Sequence, residues 1–369
     1  MHGTSTFIDT AAVEAWDAWF RWRERGRLHD TTIDATWARV ANALADIDLQ
    51  QVAERRRRYA AAFSSWSLLP DERIVATAGT PTAHWPADEL VAVINVPMFV
   101  RDRFSAFARL DMQAVVATAD MAVQVLDDAS SLSTDANDPP MRLRIGLIGV
   151  ADALALLGLA YGTLAAQALV RGLGRALSHA CFGATVRLAR ERGARFGLTN
   201  DARARAAERG IPVDVIRDAE RHGLRHARLT ALTSQPRLSL LANNVADALD
   251  PLLGIDRFHS FPPDGRPIQS PGYALALARD RYPPVSPDRM IGDVTPGAQL
   301  AMRSALQPWI DEPIRCPLLV TEEPSAVAHR ELQRQAAAQG LASPTWRQAG
   351  AAQWRGSLGL GNARSTRQE

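Results

Sequence analysis

The sequence predicts a helix-rich α/β fold, for three reasons. Apolar residues recur at helical spacing in several segments, as in 112–126, the helix that Asp111 is expected to cap. Short β-branched runs such as ELVAVINVPMFV and CPLLVT lie between these segments and have the length of strands. The chain has 369 residues, 47% of them apolar, which is enough to bury a sizeable core.

Residues 10–63 are predicted to be helical. The first helix carries several tryptophans and is expected to end at Gly26, because glycine commonly terminates helices. A second, amphipathic helix follows the polar residues Asp30–Thr32 and includes Trp37. The run Arg55–Arg58 is interpreted as a solvated helix face rather than a nucleic-acid patch.

Further elements follow from turn and capping signals. Strands are predicted at RIVAT (73–77), in ARLTALT and in RLSLLA, and 251–295 is expected to be irregular because it is rich in proline and glycine. The remaining helices are predicted at 150–158, 164–193, 212–223, 297–306 and 324–339.

Composition excludes several classes of function. All 42 basic residues are arginine, which excludes a phosphate-binding loop of the Walker type and any Schiff-base lysine. The two cysteines are too few for a disulfide framework or a four-cysteine zinc site. A net charge of +2 indicates neither a nucleic-acid nor a membrane partner.

Two features bear on location. The opening MHGTSTFIDT has no secretory pattern, so a cytoplasmic protein is expected. The apolar stretch 145–170 is interpreted as a buried helix pair rather than a membrane span, because Asp152 and four glycines interrupt it. Asp152 itself is predicted to be a buried, hydrogen-bonded helix cap.

His222 and His226 have the i, i+4 spacing of a metal-binding pair. Gly223 is expected to end the helix between them, so we interpret them as surface or capping histidines and predict no metal site.

Several segments, in order, resemble the large chain of adenosylcobalamin-dependent (class II) ribonucleotide reductases. They are SLLPDERIVATAGT, AVINVPMFV, IGLIGVADALALLGLAYGT, HGLRHARLTALTSQPRLSLLANNVADALDP and ALQPWIDEPIRCPLLVTEEPS. The resemblance implies an incomplete version of that family's α/β barrel, preceded by a helical region. It predicts an N-terminal helical region (1–66), a barrel-like domain lacking its middle section (67–349) and a mobile tail (350–369).

The family's chemistry, as the resemblance implies it, needs three thiols and one carboxylate. One cysteine bears the radical and two supply reducing equivalents. This chain has only Cys181 and Cys316, which are interpreted as structural thiols. Glu89 aligns with the position of one redox cysteine, and the segment that carries the others is missing after Thr80. No catalytic residue is therefore predicted.

The family's substrate-phosphate loop is also altered. Ser234, Gln235, Pro236 and Arg237 align with it, and Pro236 lacks the N–H of the glycine that it replaces. Arg237 remains able to meet a phosphate, although an exposed turn arginine is the plainer interpretation. The glycine turn around Gly149 is shorter than the family's, which would change how closely a ligand approaches it.

The sequence thus predicts a reductase-like protein that is inactive alone and binds a nucleotide or a protein partner. Two alternatives stay open: a subunit complemented in trans by an intact reductase, and a poorly folding remnant. Self-association is a further possible partnership, and neither a nucleic-acid nor a membrane partner is predicted. Adenosylcobalamin, the family cofactor, is not expected to bind, because no cysteine would receive its radical.

Overall fold

Helices and a small hairpin form the N-terminal part of the described structure. The computed structural model describes residues 6–47, 51–133, 142–253, 257–261, 267–281, 292, 294–320, 322 and 324–348. The N-terminal elements are α1 (Thr10–Trp19), β1 (Arg23–Glu24), β2 (Arg27–Leu28), α2 (Ile33–Ala45) and α3 (Val52–Ser64).

The first helix ends earlier than predicted. It stops at Trp19, and Gly26 lies instead in the turn between β1 and β2, which pair antiparallel. Arg25 and Gly26 have φ values of 48° and 78°, the left-handed region that tight hairpin turns require. The second helix is confirmed, because the Thr32 side chain caps α2 by accepting a hydrogen bond from the Ala35 N–H.

A four-stranded sheet lies at the centre of the fold. The central elements, in chain order, are β3 (Leu68–Pro70), α4 (Glu72–Thr77), β4 (Leu90–Asn95), a 3-10 helix (Val96–Phe99), β5 (Val100–Arg101), β6 (Arg109–Leu110), α5 (Met112–Ser131), β7 (Arg142–Ile148), α6 (Val150–Leu156), α7 (Leu164–Arg192), α8 (Asn200–Glu208), α9 (Val213–His222) and β8 (Arg228–Thr230). The sheet order is β3-β4-β7-β8, with β3 antiparallel to β4 and the other neighbours parallel.

This topology confirms the helix-rich α/β prediction. Long crossovers containing α5 and α7 connect the parallel strands, as parallel pairing requires. Within the described residues the sheet does not close into a barrel. That the fold is an incomplete barrel remains a prediction.

Two predicted strands are helices instead. RIVAT lies in α4, which begins where the Asp71 side chain accepts a hydrogen bond from the Arg73 N–H. RLSLLA lies in α10 (Pro236–Leu241), with Pro236 at its first position, where the missing N–H costs nothing. Both segments are short apolar runs, whose periodicity does not separate a strand from a buried helix.

Two of the C-terminal elements, the helix Pro296–Leu306 and the 3-10 helix that follows it, pack against α7. After α10 the C-terminal elements are β9 (Arg257–Ser260), β10 (Pro267–Ser270), α11 (Tyr273–Arg279), α12 (Pro296–Leu306), a 3-10 helix (Gln307–Trp309), β11 (Cys316–Val320), α13 (Ala326–Ala338) and β12 (Pro344–Gln348). The prediction of irregular structure over 251–295 is thus wrong for β9, β10 and α11. The predicted mobile tail lies outside the described residues.

The apolar stretch 145–170 divides into a strand and two helices. It supplies most of β7, all of α6 and the first turns of α7, with a bend at Gly158. Of the helices that the structure describes, none combines the length and apolar character needed to cross a membrane.

One hydrophobic core joins the N-terminal helices to the sheet. Trp37 and Trp66 meet edge to face at a centroid distance of 5.5 Å, and they belong to the same buried cluster as Ile94 and Ile145. The N-terminal helices therefore share their core with the sheet. The domain division at 66/67 stays a prediction.

A buried group of charges connects α3, α5 and α7. Asp127 binds Arg225 (2.9 Å) and His226 (3.1 Å), and Asp128 binds Arg192 (2.7 Å) and the Tyr59 hydroxyl. Both carboxylates are fully buried.

Arg55 joins the same group through Asp128. It is only 6% exposed, so the prediction of a solvated face is wrong for Arg55 and holds for 56–58. The sequence does not reveal the Arg55–Asp128 ion pair, because it forms only when α3 packs against α5.

Asp127→Asn is expected to lower the free energy of unfolding by about 3–5 kcal/mol, because it leaves buried cations without their counter-charge. Burial opposes ionisation of Asp127, but His226 and Arg225 outweigh that effect and lower its pKa below the ordinary 3.8. The stabilisation is therefore fully present above pH 3.8 and is lost as pH falls further.

Urea unfolding at neutral and acidic pH measures this effect. Glu331→Gln removes an exposed ion pair with Arg334 and serves as the control, with an expected loss of at most about 1 kcal/mol. Equal midpoints for the two variants would contradict a stabilising role for the buried group.

Candidate functional site

A cavity of about 690 Å³ lies between the central sheet and the β11–β12 pair. Its walls come from the first residues of β4 and β7, the loop 232–235, the segment 247–250, and both β11 and β12. Its volume suits a nucleotide-sized ligand. The ionisable groups that line it are Arg144, Arg303, Arg315, Arg347, Asp247, Asp250 and Cys316.

Ser234 and Gln235 of the predicted phosphate loop border this cavity, but their hydrogen-bond donors already bind a carboxylate of the chain. The Gln235 N–H donates to Asp247 Oδ1 at 2.8 Å, and the Ser234 hydroxyl donates to the other oxygen of the same carboxylate. The Ser239 hydroxyl also donates to Asp247, at 3.4 Å. A carboxylate of the chain therefore occupies the donors that a phosphate would use.

The structure takes Arg237 away from the other loop residues. Ser234 and Gln235 line the cavity, whereas Arg237 lies over the Trp19 ring at 4.8 Å and faces Glu72 at 3.9 Å. Desolvation by burial lowers the pKa of Arg237. The exposed turn arginine predicted as the plainer interpretation is wrong, because the Arg237 side chain is only 16% exposed. Pro236 begins α10 and has no N–H to offer.

Asp250 connects two arginines across the cavity wall. Its Oδ1 accepts from Arg303 Nη2 at 2.9 Å, and its Oδ2 accepts from Arg347. Arg303 is fully buried and also donates to the Pro317 carbonyl at 3.3 Å. Two guanidinium groups thus share one carboxylate, which leaves a positive charge in excess at this wall.

Arg315 and Arg347 supply the remaining donors. Arg315 is exposed at the cavity and makes no hydrogen bond or ion pair with the residues that the structure describes. The Nε of Arg347 is buried and finds no acceptor among those residues. Sequence reasoning missed both arginines, because each is an isolated cation near a short strand and no motif surrounds it.

The two thiols lie on different elements. Cys181 is buried in α7, where desolvation raises the pKa of its thiol. Cys316 borders the cavity at the start of β11, but it is 1% exposed and its Sγ lies 3.6 Å from the Ile314 carbonyl oxygen. Burial raises the pKa of Cys316 as well, so neither thiol is activated as a thiolate.

Glu89, which aligns with a redox cysteine, lies just before β4 and forms ion pairs with β7. Its carboxylate binds Arg142 at 2.7 Å and Arg144 at 3.2 Å, and Arg144 also reaches Glu312 at 3.4 Å. Glu89 therefore neutralises one of the cavity's arginines.

Asp152 is the buried, hydrogen-bonded cap that the sequence predicts. It accepts from the Ala246 N–H at 2.6 Å and from the Ala274 N–H at 2.9 Å, at the start of α11. Gly149, next to it, has φ +69°, and a Cβ there would lie 2.6 Å from Pro97. The glycine turn therefore packs against protein, and its N–H donates to the Ala246 carbonyl at 2.7 Å.

The histidine pair does not form a metal site. His222 is exposed at the end of α9, whereas His226 is buried between Thr185 (3.1 Å) and Asp127. The prediction of surface or capping histidines is thus wrong for His226. No cluster of three or more metal-ligating side chains occurs in the described parts of the chain.

Comparisons with known proteins agree with the resemblance found in the sequence. Residues 90–254 match the family model described as "Ribonucleotide reductase, barrel domain". Two similar relatives are vitamin B12-dependent ribonucleoside-diphosphate reductases of Mycobacterium tuberculosis, strains CDC 1551 / Oshkosh and ATCC 25618 / H37Rv.

Each is 29% identical over 160 residues, or 42% of this chain and 21% and 20% of the respective relative. The aligned part spans about a fifth of the length of these relatives. The resemblance to class II reductases is confirmed.

The pH dependence of stability is expected to report the buried state of Asp247. Desolvation and the Asp250 charge raise the pKa of Asp247 from 3.8 to about 6. Between these values the folded protein keeps a proton that the unfolded chain releases, so the free energy of unfolding falls as pH rises. The difference between the wild type and Asp247→Asn should fall by about 2 kcal/mol from about pH 4 to about pH 7.

Urea unfolding of both proteins across this range measures the difference, in which titrating groups remote from Asp247 cancel. A difference that does not vary with pH would contradict a raised pKa of Asp247 in the folded protein.

Proposed function

We propose that this chain, related to ribonucleotide reductases through residues 90–254, is a non-catalytic member of that group that binds a nucleotide. The observation that carries the proposal is the arrangement of thiols beside an arginine-lined cavity. The cavity has the size and the positive charge to bind a nucleotide. Of the two thiols, however, only Cys316 borders it, and the reaction of the family needs three. We place such a protein in the cytoplasm.

The loss of catalysis follows from electron balance. Reduction of a ribose carbon by two electrons needs a dithiol that becomes a disulfide, in addition to the thiol that bears the radical. With Cys181 in the core of α7 and Cys316 hydrogen-bonded in β11, the described chain offers no thiol pair at the cavity. Glu89 stands where the resemblance places one redox cysteine, and a carboxylate supplies no electrons.

Cobalamin fits this arrangement poorly. When bound, adenosylcobalamin supplies a carbon radical that must be passed to an accessible thiol. Cys316, the thiol at the cavity, is 1% exposed and its Sγ faces the Ile314 carbonyl oxygen. We therefore expect nucleotide binding without the cofactor.

Nucleotide binding is expected to raise the thermal unfolding midpoint. A ligand that binds only the native state adds about 2.7 kcal/mol of stability at a hundred times its dissociation constant. Unfolding is measured with a panel of nucleoside di- and triphosphates, with the unphosphorylated nucleosides as controls. A cooperative transition that no nucleotide shifts would refute nucleotide binding and turn the search to protein partners.

No deoxynucleotide is expected when the purified chain is incubated with ribonucleotides, adenosylcobalamin and a dithiol reductant. Product formation is measured against a control without protein. Product that Cys316→Ser abolishes would disprove the loss of catalysis. Product that appears only after an intact reductase is added would favour complementation in trans.

A further inference from the structure

The cavity has two chemically different walls. On the loop wall, the donors of 234 and 235 are held by the Asp247 carboxylate. Elsewhere in the lining, Arg315 lies immediately before β11 and Arg347 lies in β12. An incoming anion therefore meets a carboxylate at one part of the lining and guanidinium groups at another.

The loop wall repels an anion at neutral pH. To use the Gln235 N–H, a phosphate would have to displace Asp247 from three hydrogen bonds and leave that carboxylate buried next to Asp250. The negative charges of Asp247 and Asp250 would then lie close together in a poorly solvated site without those hydrogen bonds, which disfavours replacement of Asp247 by a phosphate.

The arginine wall attracts an anion and has donors to spare. Asp250 is shared by Arg303 and Arg347, so it neutralises one of two charges. The buried Nε of Arg347 has no acceptor among the described residues, and Arg315 has no partner there. Phosphate oxygens fit guanidinium donors in a charge-assisted, often bidentate geometry.

We propose that the cavity receives the phosphate end of a small phosphorylated ligand on Arg315 and Arg347, and not on the loop 234–237. The ligand is a compact phosphate ester or pyrophosphate whose hydroxyl or amino donors face Asp247. This inference rests on the proposed function, since it names the groups of that site that bind the anion.

The test uses inorganic pyrophosphate as the probe and titration calorimetry of the full chain at low salt. Arg315→Gln changes an exposed side chain without described partners, so its folding is expected to be normal. It should weaken binding about tenfold or more, the usual effect of losing a charge-assisted hydrogen bond to a phosphate.

Two matched variants control for charge and for the loop. Arg330→Gln removes one positive charge from the exposed face of α13, outside the cavity, and should change affinity by less than about twofold. Arg237→Gln removes the loop's arginine, which lies over Trp19, and should also leave affinity nearly unchanged.

The outcomes separate this inference from the proposed function. Pyrophosphate that binds the wild type and Arg315→Gln equally, or that is lost in Arg237→Gln alone, overturns the inference, as does no binding at all. Nucleotides that stabilise the wild type and Arg315→Gln alike leave the proposed function standing without the inference. Pyrophosphate binding that depends on Arg315, with no nucleotide binding, supports the arginine wall and refutes the nucleotide.

Discussion

Ion pairs between buried carboxylates and arginine hold the separate parts of this chain together. Asp30 pairs with Arg39 at 2.8 Å between the hairpin and α2, and Asp250 pairs with Arg303 at 2.9 Å between a loop and α12. Asp127 and Asp128 do the same for α3, α5 and α7. A guanidinium suits this role because its charge is permanent and its fork of donors meets both carboxylate oxygens.

The same constraint shapes the cavity. A chain without lysine places a guanidinium wherever a buried acid needs a cation, so a wall built of such pairs is rich in arginine. Where two arginines share Asp250, one charge is left for a ligand. Asp247, which has no arginine at hydrogen-bonding distance among the described residues, satisfies its oxygens with the loop instead. The distribution of charge in the cavity thus depends on two acids: Asp250 pairs with arginines, whereas Asp247 accepts hydrogen bonds from the loop.

The elements that sequence reasoning found are those with their own capping and periodicity signals. Asp111 caps α5, Thr32 caps α2, and Pro212 and Gly223 bound α9. RIVAT and RLSLLA are misread because a short apolar run has no period long enough to separate helix from strand. The Asp71 side chain caps α4, and Pro236 begins α10 without a side-chain cap. Asp152 was predictable as a cap because a lone acid among apolar residues must find donors.

The sequence by itself determined the number of thiols, the absence of lysine and the resemblance to ribonucleotide reductases, since these depend on which residues are present and in what order. Only the tertiary structure decided that Arg237 turns toward Trp19 and that Asp247 occupies the loop's donors. It also decided that Arg315, just before β11, and Arg347, in β12, line the same cavity, because β11 and β12 pair in parallel. The reason is distance along the chain: these contacts join residues far apart in sequence, and no local pattern records which of several equivalent arginines or aspartates will meet.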